Sequence, residues 1–210
     1  PNRLKETVEI LDNNPNTYLV HSNITIMTEE RVPYYTPKRN AELLSGMIFR
    51  DLLLQNIHIS CPTVTFRKKA CDEFGTFDEN LTRLSGEDRE LWLRIAKNKE
   101  IQYIDKSLAL YRMHAAGFSR NKQKLLDGLL YIVNKHALKK DILRQKSLAK
   151  IYRNIGDEFL YEYGFSYSIK MYISSISAWP FAKYTWINLV KALLKIKIKP
   201  RNQLIIISLS

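Results

Sequence analysis

The chain predicts an α/β domain followed by a purely helical region, and three observations carry that division. Short strand-like runs (Tyr18–Ser22, Ile59–Phe66, Ile101–Ile104 and Leu108–Tyr111) alternate with amphipathic helices up to residue 118. From residue 119 onward only helical periodicity remains. The last acidic residue is Glu162, while lysines continue to the end, so the +12 net charge is concentrated in the tail. Within 210 residues, a hydrophobic content of 45% is enough for a real core and argues against disorder. The two cysteines, Cys61 and Cys71, make neither a Cys-x-x-Cys metal pair nor a disulfide framework, which points to a reducing compartment. The chain begins at Pro1 with no signal peptide and holds no apolar run of membrane-spanning length, so it reads as a piece of a longer protein.

Taken in order, Asn2–Leu11 is a short helix with Leu4, Val8 and Leu11 on one face, stopped by Asp12-Asn13-Asn14-Pro15-Asn16. Tyr18–Ser22 is a strand, and Thr25–Pro37, with two prolines, is a loop. Asn40–Leu54 is helical, with apolar positions Leu43, Leu44, Met47, Ile48 and Leu52. Asn56 and His58 precede the strand Ile59–Phe66, and His58 reads as a structural histidine. Lys68–Phe74 is a short helix whose following Gly75 supplies a positive φ or a small volume. Asp78 and Glu79 are either solvated loop acids or members of a site.

The chain is organised around Leu84-Ser85-Gly86-Glu87-Asp88-Arg89-Glu90-Leu91-Trp92-Leu93-Arg94-Ile95, a tight turn opening into an amphipathic helix. Ser85 is expected as its N-cap, with Asp88 completing a capping box. Leu91, Trp92, Ile95 and Ala96 turn one face to a core. Glu87 and Asp88 occupy the first turn, where free N–H groups and the helix dipole favour negative charge. On spacing alone these acids either stabilise a helix start or present a carboxylate pair to a cleft. Further on, Arg112-Met113-His114 closes the last strand.

Several pieces in this order resemble family 2 glycosyltransferases of the GT-A fold. They are Pro62-Thr63-Val64-Thr65-Phe66-Arg67-Lys68, then Phe74-Gly75-Thr76-Phe77-Asp78-Glu79, then Gly86-Glu87-Asp88-Arg89-Glu90-Leu91-Trp92-Leu93-Arg94, then Leu110-Tyr111-Arg112-Met113-His114. The family pattern is a strand ending in Arg, a glycine-containing "F-D-E" loop, an E-D pair opening a helix, and a "y-R-x-H" strand end. Pro1-Asn2-Arg3-Leu4 is similar to the "P-x-K-L" that follows the family's metal-binding D-x-D motif.

The resemblance implies that residues 1–118 are the acceptor-side part of a GT-A domain and that residues 119–210 are a basic helical extension. It implies an inverting transfer of sugar from a nucleotide-sugar donor to a hydroxyl of a sugar or lipid-linked acceptor, in glycan or cell-surface polysaccharide synthesis. Asp88 would be the base, with Glu87 orienting it or contacting the acceptor. His114 is either a structural histidine or, by resemblance, a ligand of a divalent metal, Mn²⁺ or Mg²⁺. Arg112 either contacts the diphosphate or pairs with a carboxylate. The D-x-D half is absent from these residues, so the metal is expected only where that half is present. The segment alone is expected to be inactive.

From Asn121, Leu125, Leu126, Leu129, Ile132 and Val133 mark one helix, and Leu143–Tyr163 and Phe165–Ile176 mark two more around Gly164, read as a C-cap. Pro180 opens another over Phe181–Lys199. There Trp179, Phe181, Tyr184 and Trp186 alternate with Lys183, Lys191, Lys195, Lys197 and Lys199. Such a segment either packs as an ordinary solvated helix or lies on an anionic membrane, where each Lys adds ~1 kcal/mol. The latter implies a cytoplasmic protein peripheral on the inner face of the plasma membrane. A non-enzymatic basic adaptor for membranes or acidic partners is the alternative function. Nucleic acid is not expected as a partner, since no binding motif accompanies the charge. Leu204-Ile205-Ile206-Ile207 is too short to span a bilayer.

Overall fold

Strand β1, Thr17–Met27, runs through the middle of a mixed four-stranded sheet. The computed structural model describes residues 2–112, 121–162 and 164–196. Strand β4, Glu100–Arg112, pairs parallel to β1 along its whole length. The antiparallel strands β2, Pro33–Tyr35, and β3, Thr65–Phe66, therefore share the other edge of β1, pairing at Ile26–Met27 and Leu19–Val20. A parallel neighbour and a buried position explain the composition of β1: Tyr18, Leu19, Val20, Ile24 and Ile26 are all core. The chain divides into two compact units, Pro1–Asn121 and Lys122–Ser210.

The sheet is longer than the sequence suggested. β1 continues through Thr25–Met27, where a loop was expected, because Ile24 and Ile26 alternate inward. Pro33 opens β2 as the first residue of an edge strand, a place where its missing N–H costs little. The two expected strands Ile101–Ile104 and Leu108–Tyr111 are a single strand. Ser22 pairs with Ile104 and Asn23 with Ser107, so Asp105 and Lys106 are absorbed in a bulge.

Two expected elements break. The helix expected over Asn40–Leu54 is a 3₁₀ turn, Ala41–Leu44, followed by α2, Phe49–Leu53. Between them Gly46 takes a φ of +90°, and its N–H and C=O pair with Ile101 at 2.7 and 3.1 Å. A glycine able to take positive φ makes this sheet contact possible and ends the helical run. The strand expected over Ile59–Phe66 shrinks to β3, because Pro62 enters a 3₁₀ turn, Cys61–Thr63.

Around the sheet lie α1, Asn2–Asn13, α3, Lys69–Phe74, and α4, Glu87–Ala96. Helix α1 buries Thr7 and Leu11 rather than the expected stripe; Leu4 and Val8 face solvent. Leu11 packs with Val20 and Ile104, while the Thr7 hydroxyl is 3.0 Å from that of Thr65. Arg67, the strand-end arginine, donates to the carbonyls of Leu11, Asn14 and Thr17 and so ties the end of α1 to the sheet.

Among the described residues the second unit forms four helices: α5, Lys122–His136, α6, Ile142–Glu162, α7, Phe165–Ala178, and α8, Lys183–Leu193. Helices α6 and α7 meet at Gly156, where a Cβ would come within 2.8 Å of the Tyr172 ring. Asp157 accepts from Tyr172 Oη and from Asn188 Nδ2, each at 2.8 Å. Ser175 donates to the carbonyl of Ala149 at 2.7 Å and its hydroxyl is 3.0 Å from that of Thr185. Gly164, with φ +83°, stands at the N-cap of α7. Helix α8 starts three residues later than Pro180, whose carbonyl accepts from Trp186 Nε1 at 2.7 Å. Residues 197–199, expected in the same helix, lie outside the described residues. Among the described residues no helix is long and apolar enough to cross a membrane.

Candidate functional site

Helix α4 places the acid pair. Its N-cap is Gly86, at φ +101°, with no side-chain cap. Ser85, expected in that role, is buried one residue too early, and no capping box forms. The acids serve the helix end themselves: Glu87 Oε2 accepts from Gly86 N at 3.2 Å, and Asp88 Oδ1 from Arg89 N at 2.6 Å. Glu87 is exposed and Asp88 half-buried. Burial raises the Asp88 pKa above the usual carboxylate range, opposed by the Arg89 backbone bond and Arg89 charge and aided by Glu87.

Everything downstream of that turn is clamped. Glu90, fully buried, pairs with Arg94 at 2.8 Å. Arg94 also donates to the carbonyls of Phe74 and Thr76, tying the Gly75 loop to α4. Gly75 has the expected positive φ, +78°, and a Cβ there would meet the Arg94 guanidinium at 3.2 Å. Leu91, Trp92, Ile95 and Ala96 are buried as their spacing predicted, and Trp92 packs edge-on against Phe66 and Phe77. Asp78 caps the 3₁₀ turn Glu79–Leu81 by accepting from Asn80 N at 3.0 Å, and Glu79 is exposed.

Beside the acids the fold assembles basic groups that sequence reasoning missed. Asn23, on β1 opposite the β4 bulge, donates to the Pro37 carbonyl at 2.7 Å and accepts from Arg39 Nε at 3.0 Å. Arg39 Nη1 reaches the His58 carbonyl at 2.8 Å. Arg89 donates to the Leu52 carbonyl at 3.1 Å and to His58 Nδ1 at 3.2 Å. His58, read as structural, thus joins two arginines. Its ring is exposed, yet the surrounding protein and the charges of Arg89, Arg39 and His21 lower its pKa to about 3. His21 lies 1% exposed beside Tyr103, ring centroids 5.0 Å apart, and its Nε2 is 3.0 Å from the Leu44 carbonyl. A carbonyl only accepts, so Nε2 carries the His21 proton. Burial pulls the His21 pKa to about 4. Cys61 is exposed, and its thiol is pushed up by burial and by the charges of Asp88 and Glu87, which puts it next to the acid pair.

Of the residues the sequence singled out, Glu87 and Asp88 stand together at the start of α4. Arg112 ends β4 opposite Met27, exposed, and no hydrogen bond or ion pair links it to the acids among the described residues. His114 lies outside the described residues. Among them no group of three or more His, Cys, Asp or Glu side chains is gathered to hold a metal. No protein-family model matches the chain, and no curated protein matches its sequence.

Proposed function

We propose that this chain is the acceptor-side portion of an inverting glycosyltransferase similar to family 2, moving a sugar from a nucleotide-sugar donor to a hydroxyl acceptor. The reading is supported above all by one observation: Asp88 is a half-buried carboxylate with a raised pKa, beside exposed Glu87 on a rigidly clamped turn. A carboxylate whose pKa burial raises holds an abstracted proton better than an ordinary aspartate. In the proposed step the acceptor O–H proton passes to Asp88. The oxygen lone pair forms the bond to the anomeric carbon as the bond to the departing diphosphate breaks, and that electron pair leaves with the diphosphate. Glu87 orients Asp88 or the acceptor hydroxyl. Arg112 is a candidate contact for the diphosphate.

The divalent Mn²⁺ or Mg²⁺ implied by the resemblance would neutralise the leaving diphosphate. Among the described residues no donor set is gathered for it, and a D-x-D segment of the kind the resemblance implies would supply one. The test is a transfer assay with and without upstream residues. The isolated 210 residues are expected to be inactive, and robust transfer by them alone contradicts the reading.

A second reading, a membrane-docking basic adaptor, is favoured by helix α8. There Trp186, Val190, Leu193 and Leu194 are exposed, with Lys183 exposed and Lys191 half-buried beside them. Co-sedimentation with phosphatidylcholine vesicles, with and without 30% anionic lipid, tests it. Binding that requires the anionic lipid and is lost on charge reversal at Lys183 and Lys191 supports the adaptor. Equal recovery with neutral vesicles rejects it.

A further inference from the structure

The basic groups beside the acid pair are held in an unusual way. Arg39 and Arg89 are half-buried, but their hydrogen bonds go to neutral acceptors: the Asn23 amide, the His58 and Leu52 carbonyls and the His58 ring. No carboxylate lies within ion-pairing distance of either guanidinium among the described residues. Both remain charged, since an arginine side chain is not deprotonated in a protein. Two cations fixed around one imidazole, with no carboxylate paired to either and Asp88 acting on Arg89 only through its charge, create a local positive potential.

Both arginines bond the same residue, His58, and each keeps a donor to spare. Arg39 Nη2 and Arg89 Nε make no hydrogen bond among the described residues. An arginine can only donate, so His58 Nδ1 must accept from Arg89, and the His58 proton therefore sits on Nε2. That N–H belongs to an exposed ring and has no partner among the described residues. Fork-shaped guanidinium donors plus an imidazole N–H suit a tetrahedral oxyanion better than a lone carboxylate or a halide.

We propose that Arg39, His58 and Arg89 form an anion subsite for a phosphoryl group, beside the turn that carries Glu87 and Asp88. The subsite stands on its own geometry, but the source of the phosphoryl group rests on the transferase reading. It is either the diphosphate of the sugar donor or a phosphate carried by a lipid-linked acceptor. In both cases the anion would hold one reactant against the base while its own charge is balanced by the arginines.

The test is calorimetric titration of the full 210-residue chain with uridine diphosphate and, separately, with hexyl phosphate. The unsubstituted protein is expected to bind at least one probe. Arg39→Gln and Arg89→Gln are each expected to weaken it ~10-fold or more, while Lys97→Gln, exposed at the far end of α4, leaves it unchanged. Loss confined to uridine diphosphate identifies the donor as the source, and loss confined to hexyl phosphate identifies the acceptor. Because Arg39 also braces Asn23, folding is tracked by circular dichroism. The His58 Nε2–H resonance is followed in the unsubstituted chain, where saturation with the binding probe is expected to shift it. No binding of either probe, undiminished binding in both arginine variants, or an unmoved His58 signal overturns the proposal. Transfer by the longer protein is assayed independently, so a failed subsite and a failed transferase reading are told apart.

Discussion

In the helical unit, Lys122 and Glu158 are both buried and lie 2.9 Å apart, and Asp157 is bridged by Tyr172 and Asn188. In the sheet-containing unit, Arg39 and Arg89 are half-buried among neutral carbonyls, with an exposed histidine between them. Charge inside the first arrangement meets its complement within the fold, so it serves packing and specificity. Charge in the second is positioned without a paired carboxylate, and Asp88 reaches Arg89 only through its charge. The contrast supports the proposed subsite: a region whose polar groups satisfy one another has no need of a ligand, while cations fixed without an ion-pair partner can take one.

The largest stability effect should fall in the helical unit. Glu158→Gln leaves Lys122 buried without its counter-charge and is expected to cost about 3–5 kcal/mol in chemical denaturation. Pairing it with Lys122→Met should recover most of that loss. Next is a pH effect in the sheet unit. The folded pKa of His21, about 4, lies below its unfolded value of 6.5, so its contribution is fully present above pH 6.5 and is lost as pH falls towards 4. The loss should approach roughly 3 kcal/mol, and His21→Gln should flatten it; thermal melts at pH 7.5 and pH 4 measure both. His58 acts in the same direction but more weakly, because solvent reaches its ring.

A smaller effect is expected at the turn that presents the acids. Gly86→Ala forces a side chain into φ +101° and should cost about 1–2 kcal/mol, read by thermal unfolding. The smallest belongs to the exposed pair Lys106–Glu6, 2.8 Å apart. Lys106→Ala should change stability by less than about 1 kcal/mol, and the difference should vanish in high salt.

What was legible in the sequence was local. Helix α4 and the buried set Leu91, Trp92, Ile95 and Ala96 follow from 3.6-residue periodicity, and Gly75 from its turn. The mixed α/β character followed from short apolar runs between those helices. The break at Gly46 was not legible, because it is made by pairing with Ile101, far along the chain. Nor was the length of β1, since Ile24 and Ile26 sit in a polar stretch that two prolines mark as loop. In the candidate site the acid pair was visible as a motif. Arg39, His58 and Arg89 were not, because Arg39 reaches Asn23 across 16 residues and Arg89 reaches His58 across 31. No periodicity encodes contacts of that span; they exist only once β1, opposite the β4 bulge, and the start of α4 are in place.

The central claim is that Asp88 takes a proton in the reaction. Its most direct measurement is the single-turnover rate of sugar transfer by the protein extended upstream of Pro1, with Asp88 replaced by Asn. The amide keeps the shape and the backbone contact with Arg89 but cannot accept the proton. A rate lowered by about 100-fold or more, with folding and acceptor binding unchanged, is predicted; transfer at the unsubstituted rate would contradict the account.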